Sequence, residues 1–132
     1  MKYHIFISHA WKYDNDYKTI EQWIKNYFTT SGYSNYSVPK ENPLHSGNTY
    51  ALQQDLTEQI SHANCVIIIG GMYGAYSDWM DYEISEAKRM KKYIILVRPW
   101  GQQRVPQNAV DAADIIVGWN SASVIDAIIH SN

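Results

Sequence analysis

The sequence predicts an α/β fold: a flavodoxin-like, five-stranded parallel sheet with helices on both faces. Three observations carry that expectation. Short, nearly continuous apolar runs at Tyr3–Ser8, Cys65–Ile69 and Tyr93–Val97 have the composition of strands buried on both faces. Segments with apolar residues at helical spacing separate them, so strand and helix alternate along the chain. Turn-forming residues mark the changeovers, with Gly32 past the first helical segment and Gly70-Gly71 past the strand at 65–69. Parallel strands joined by right-handed crossovers place helices on both sides of the sheet.

The first strand, Tyr3-His4-Ile5-Phe6-Ile7-Ser8, mixes β-branched and aromatic residues and ends at Ser8-His9-Ala10-Trp11. Tyr17, Ile20, Trp23, Ile24, Tyr27 and Phe28 then recur at helical spacing, with Asp14, Asn15 or Asp16 as cap. A weak second strand is expected at Asn35–Val38. The polar loop after it, Pro39 to Asn48, is punctuated by Pro39, Pro43 and Gly47. It is longer than the usual connection in an α/β domain, which favours a binding or lid role over a plain linker. Leu52, Leu56, Ile60 and Ala63 mark a second helix, capped by Asn48 or Thr49. Cys65–Ile69, the most hydrophobic run, reads as a buried third strand. Gly70 to Tyr76 follows, and its three glycines permit close approach of the backbone to a ligand. Neither GxGxxG nor GxxxxGK[ST] occurs there, so a loop that simply needs positive φ is the ordinary alternative. Tyr93–Val97 is the fourth strand, and Pro99, Gly101 and Pro106 make the next stretch irregular. Asp114–Val117 is a short fifth strand. Val124, Ile125, Ile128 and Ile129 give a last helix beginning near Ser121 or Ser123.

With 132 residues and 45% hydrophobic content, the chain is expected to build one domain, 1–132, around one core. A net charge of −2 supplies no basic field for nucleic acid, and Lys88-Arg89 with Lys91-Lys92 reads as a solvated helix end. The apolar run at the N-terminus is too short for a signal segment, and none approaches the ~20 residues of a membrane span. A cytoplasmic location without membrane attachment is therefore expected. Cys65 opens an apolar run and reads as a small buried hydrophobe. His4, His9, His45, His62 and His130 have no metal-ligand spacing, so no metal is expected.

Ser77 to Ala87 reads as the first turns of an amphipathic helix in which Met80, Ile84 and Ala87 form the apolar stripe. Glu83 lies on the shoulder of that stripe, flanked by Trp79 and Ala87 at i−4 and i+4, while Asp81 and Lys88 point away. A carboxylate in that position must find hydrogen-bond donors or line a cavity that a ligand fills. A first-turn glutamate stabilised by the helix dipole is the plainer alternative. In a flavodoxin-like order, ligands bind beyond the carboxyl ends of the strands, at the switch point between the first and third. Three loops meet there: the Ser8 to Trp11 turn, the Pro39 to Asn48 loop, and the Gly70 to Tyr76 segment that delivers Trp79 and Glu83.

Phe6-Ile7-Ser8-His9 after the first strand, Tyr36-Ser37-Val38-Pro39 at the second, and Trp79-x-x-x-Glu83-x-x-x-Ala87 together resemble the TIR (Toll/interleukin receptor) superfamily. Within it, the chain is most similar to the Thoeris antiphage ThsB TIR-like domains, through to Val117-Gly118-Trp119-Asn120. The resemblance implies a TIR-like sheet, equates Pro39 to Asn48 with the family's BB loop, and matches Glu83 to its catalytic glutamate. It also implies an enzyme that cleaves NAD, as substrate and not cofactor, at the nicotinamide glycosidic bond. The product would be a cyclic ADP-ribose isomer or an ADP-ribose conjugate, read by a separate effector protein. A phage-derived activator and self-assembly are compatible with it.

Such chemistry suits a single carboxylate. Ordinary glycosidases need two, one to protonate a leaving oxygen. Nicotinamide leaves as a neutral molecule from a cationic ring, so what remains is to hold the ribose and stabilise developing positive charge. Phe6, Ser8, His9 and Trp11 stand where the first-strand loop would meet substrate, and Trp79 and Asn48 are further substrate-binding candidates. For these the plainer roles are packing for Trp79, helix capping for Asn48 and a backbone-bonded loop residue for His9. Two rival functions stay open: a non-catalytic TIR interaction or assembly module, and a nucleoside deoxyribosyltransferase-like enzyme. A phosphorylated receiver is disfavoured, because the third strand runs into Gly70-Gly71 where an acceptor aspartate would stand.

Overall fold

Strands β1 (Tyr3–Ile7), β2 (Tyr33–Asn35), β3 (Cys65–Ile69), β4 (Tyr93–Val97) and β5 (Ile115–Val117) alternate with five helices. These are α1 (Asp14–Phe28), α2 (Thr49–His62), α3 (Ser77–Arg89), α4 (Gln107–Ala112) and α5 (Ser121–His130). The computed structural model describes residues 2–8, 14–29, 32–37, 49–70, 77–98, 105 and 107–131, with the backbone alone at 14, 49–52 and 77–79. The strands form one sheet in the order β2-β1-β3-β4-β5, and every neighbouring pair is parallel. This is the flavodoxin-like order, and the chain reverses its direction of winding between β1 and β3.

The sheet is sandwiched because its residues are apolar on both sides. All of β3 and Ile5, Phe6 and Ile7 of β1 are buried. Helices α1 and α5 pack together on one face, and α2, α3 and α4 on the other. The Tyr3 ring lies 4.8 Å from that of Phe28 in α1, so Tyr3, Ile5 and Ile7 look toward α1. Alternation then turns His4, Phe6 and Ser8 toward α2 and α3. Ile20 and Ile24 of α1, Leu56 and Ile60 of α2, and Val124 and Ile128 of α5 supply the matching helix stripes.

Two local features explain how elements end. A Cβ at Gly32 would lie 2.2 Å from the Phe28 carbonyl oxygen, so only glycine lets the chain fold back after α1 to start β2. At the end of α3, Lys91 takes φ 57°, its N–H donates to Lys88 O, and Lys92 N–H donates to Ala87 O. That is a Schellman cap, and it makes the basic run an exposed helix end.

Two expectations need correction. The second strand is Tyr33–Asn35, not Asn35–Val38. Tyr36 N–H still donates to Ile5 O at 2.8 Å, but the next ladder donor, Ile7 N–H, goes to the Ser37 hydroxyl at 2.8 Å, and strand pairing stops. Helix α4 occupies part of the stretch expected to be irregular. With six residues and Ala109 as its buried residue, it is too short to show helical periodicity. The last helix starts at Ser121, as expected, with Asn120 as its cap: Asn120 Oδ1 accepts from Ser123 N–H at 2.8 Å. The loop from Pro39 to Asn48 and most of the segment from Gly70 to Tyr76 lie outside the described residues.

Candidate functional site

Among the described residues, Ser8 and Glu83 are the two buried polar side chains, 0% and 5% exposed in an otherwise apolar core. Ser8 follows the last residue of β1, and its N–H donates to Ile67 O of β3 at 2.8 Å, which fixes its backbone at the switch point. Glu83 sits in the second turn of α3, among Met80, Ile84 and Ala87, all buried as their spacing predicts. The two side chains meet: Ser8 Oγ donates to Glu83 Oε1 at 2.8 Å.

One neutral donor does not offset the loss of water around a carboxylate. Burial pushes the Glu83 carboxyl up to about 8, with the Ser8 hydrogen bond opposing in part. Near pH 7 the free chain therefore holds Glu83 mainly as the neutral acid. A cation brought beside it would favour ionisation and reverse that balance. The pair is thus suited to a ligand that carries or develops positive charge, and equally able to give a proton to a basic leaving group.

Of the other residues singled out in the sequence, Phe6 is 1% exposed and lies on the same face of β1 as Ser8, two residues earlier, as core beneath the pair. Trp79 is on α3, one turn before Glu83; its side chain, like the whole of His9, Trp11 and Asn48, lies outside the described residues. Among the described residues no three of His, Cys, Asp and Glu are grouped to hold a metal ion, and no helix is long and apolar enough to cross a membrane. Cys65 is buried, and burial pushes its thiol up to about 12.

A polar cluster beside the site was not foreseen. Asn35 Oδ1 accepts from Ser37 N–H at 2.9 Å and from Ser37 Oγ at 2.6 Å, while Asn35 Nδ2 donates to Tyr17 OH and Glu21 Oε2, both at 3.0 Å. The available sequence signal is an Asn at a strand end with its bonding partner two residues on, the pattern of an Asx turn. A second group ties α2 to α3. Thr57 Oγ1 donates to Glu86 Oε1 at 2.7 Å, Tyr82 OH donates to Gln53 O at 3.1 Å, and Arg89 Nε donates to Glu86 Oε2 at 2.8 Å.

A family profile described as Thoeris protein ThsB, TIR-like domain, matches residues 6–104, a span that includes both Ser8 and Glu83. No curated protein sequence matches significantly. Among solved structures, the chain is similar to one described as Clostridium botulinum CMP N-glycosidase, BcmB. The two share a TM-score of 0.58 over 96% of this chain and 98% of that one, at 15% identity, which is a likeness of fold.

Proposed function

The chain belongs to the Thoeris ThsB TIR-like domain family, and on that premise we propose that it cleaves NAD at the nicotinamide N-glycosidic bond. In this reading Glu83 is the catalytic carboxylate, and the product is a cyclic ADP-ribose-type or ADP-ribose-conjugate signal. A separate effector in the same cytoplasm reads that signal, and phage infection supplies the trigger. The observation that carries the reading is the burial of Glu83 against Ser8 beside the β1–β3 switch point.

The chemistry follows from the charges. The bond between ribose C1′ and the pyridinium nitrogen breaks, its electron pair goes to nitrogen, and nicotinamide leaves neutral. The ribosyl fragment becomes oxocarbenium-like. The cationic ring, once bound, favours ionisation of Glu83, and the carboxylate then stabilises the charge as it passes to the sugar. Water, a second small molecule or the adenine of the same NAD captures C1′ and gives up one proton, which Glu83 is placed to accept. Ser8 holds the carboxylate in one orientation throughout.

The neutral form of Glu83 also favours a second reading, N-glycosidic cleavage of a nucleotide such as CMP, where the base, uncharged in the substrate, would depart as an anion unless it receives a proton. Purified protein and Glu83→Gln are incubated with NAD and, separately, with CMP, and the products are resolved by chromatography and mass. Nicotinamide release by the wild type that Glu83→Gln abolishes supports the proposal, and the mass of the other product tells hydrolysis from cyclisation or conjugation. Cytosine release would favour the second reading. Inertness toward both, repeated in lysate of phage-infected cells, would leave the interaction-module reading.

A further inference from the structure

β1 and β2 separate at the point where the site begins. In a regular parallel ladder, Ile7 N–H would bond to a backbone carbonyl of the neighbouring strand. Here it donates to the Ser37 hydroxyl at 2.8 Å. That hydroxyl cannot turn away, because its proton is committed to Asn35 Oδ1 at 2.6 Å, and the same oxygen receives Ser37 N–H at 2.9 Å. Asn35 is held in turn from α1, through Tyr17 OH and Glu21 Oε2. On the other edge of β1, the very next N–H, that of Ser8, is bound to Ile67 O. Ile7 is therefore held at its own N–H by Ser37, just beyond β2, and at the following N–H by β3, and the Ser8 side chain leaves this fixed backbone to bond Glu83.

We propose that Ser37, oriented by Asn35, is a positioning residue for the Ser8–Glu83 pair, a hydroxyl clasp that sets the end of β1 so that Ser8 keeps its bond to the carboxyl. The proposal rests on the reading of Glu83 as the catalytic carboxylate. Ile7 is 1% exposed, so without the Ser37 hydroxyl its N–H has no water to turn to. The strand end then shifts to find another acceptor, and Ser8 moves with it. Ser37 bonds to Ile7 and Asn35 and not to Glu83, so on this proposal its loss weakens turnover more than substrate binding.

The test uses Ser37→Ala and Ser37→Thr in the full chain, with two readouts. The first is the 13C-carboxyl titration of Glu83, identified as the resonance missing from Glu83→Gln. The second is kcat and KM for nicotinamide release. Ser37→Ala is expected to raise the Glu83 midpoint by about half a unit or more. It is also expected to lower kcat by roughly tenfold, with KM within about threefold of wild type. Ser37→Thr, which keeps the hydroxyl, restores both. Should Ser37→Ala not fold, Asn35→Ala frees the hydroxyl without removing it and is expected to move the midpoint in the same direction. A wild-type midpoint in Ser37→Ala or Asn35→Ala, or equal impairment of the Thr and Ala variants, overturns the clasp. Absence of nicotinamide release from the wild type, also in lysate of phage-infected cells, instead sinks the NAD reading and leaves the titration to judge the clasp alone.

Discussion

Glu83 and Glu86 stand one turn apart on the same helix and live in opposite environments. Glu86 accepts from Arg89 Nε at 2.8 Å, Arg89 Nη2 at 3.0 Å and Thr57 Oγ1 at 2.7 Å, with its side chain 15% exposed. The Arg89 hydrogen bonds, with Thr57 and the Arg89 charge adding to them, hold its carboxyl below the usual range against a smaller effect of burial. Glu83 is more deeply buried and has the Ser8 hydroxyl as its donor, so its carboxyl is driven the other way. Glu86 joins α2 to α3 as a satisfied ionic group. Glu83 costs the fold stability whenever it ionises. A carboxyl kept where it is unfavourable for stability is a candidate for chemistry.

Exchanging charge for an amide at each position separates these roles most sharply. Glu83→Gln is expected to lose ~10²-fold or more of nicotinamide release, as for removal of a stabilising electrostatic group, while Glu86→Gln stays within about threefold of wild type. Equal losses would dissolve the contrast.

Stability separates them next. The Glu83 carboxyl is raised from its ordinary 4.5 to about 8 on folding, so the folded chain holds a proton that the unfolded chain releases. Its contribution is fully present below about pH 4.5 and is lost as pH rises to about 8, at about 1.4 kcal/mol per unit, a few kcal/mol in all. Thermal melts across that window should show wild type falling relative to Glu83→Gln as pH rises. Parallel curves would mean that Glu83 is already ionised in the folded chain.

Ser8→Ala is expected to act on Glu83 alone, lowering turnover by roughly tenfold and raising the Glu83 midpoint further. A midpoint that fell would place the hydroxyl outside the pair. The smallest effect belongs to Glu86→Gln, about 1 kcal/mol of stability in urea unfolding with the pH dependence of wild type retained.

Much of this architecture is legible in the residues. β3 and β4 are found at their full extent because five consecutive apolar positions admit a buried strand and little else. Glu83 stands out since it breaks an apolar stripe at helical spacing, and Ser8 because strand order puts it at the switch point. The end of β2 is misjudged because a side-chain hydroxyl there replaces a strand carbonyl, an exchange that leaves hydrophobic periodicity unchanged. Of the Tyr17, Glu21, Asn35 and Ser37 cluster, only the Asn35–Ser37 turn leaves a local pattern; Tyr17 and Glu21 are brought to it from α1 by the fold. The contrast between Glu83 and Glu86 is half legible: the apolar stripe singles out Glu83, but the donors brought from other elements, Ser8 for Glu83 and Thr57 for Glu86, appear only in the fold.

The central claim is that Glu83, neutral in the free chain, works as a carboxylate ionised beside a cationic substrate. The dependence of kcat/KM for NAD on pH tests it most directly, since that ratio reports groups of the free enzyme. The account predicts a rise of about tenfold per unit toward a plateau above about pH 8, with the limb of kcat displaced to lower pH by the bound cation. A profile that falls above pH 8 would make Glu83 a proton donor, and one flat from pH 6 to 9 would take the ionisation of Glu83 out of the reaction.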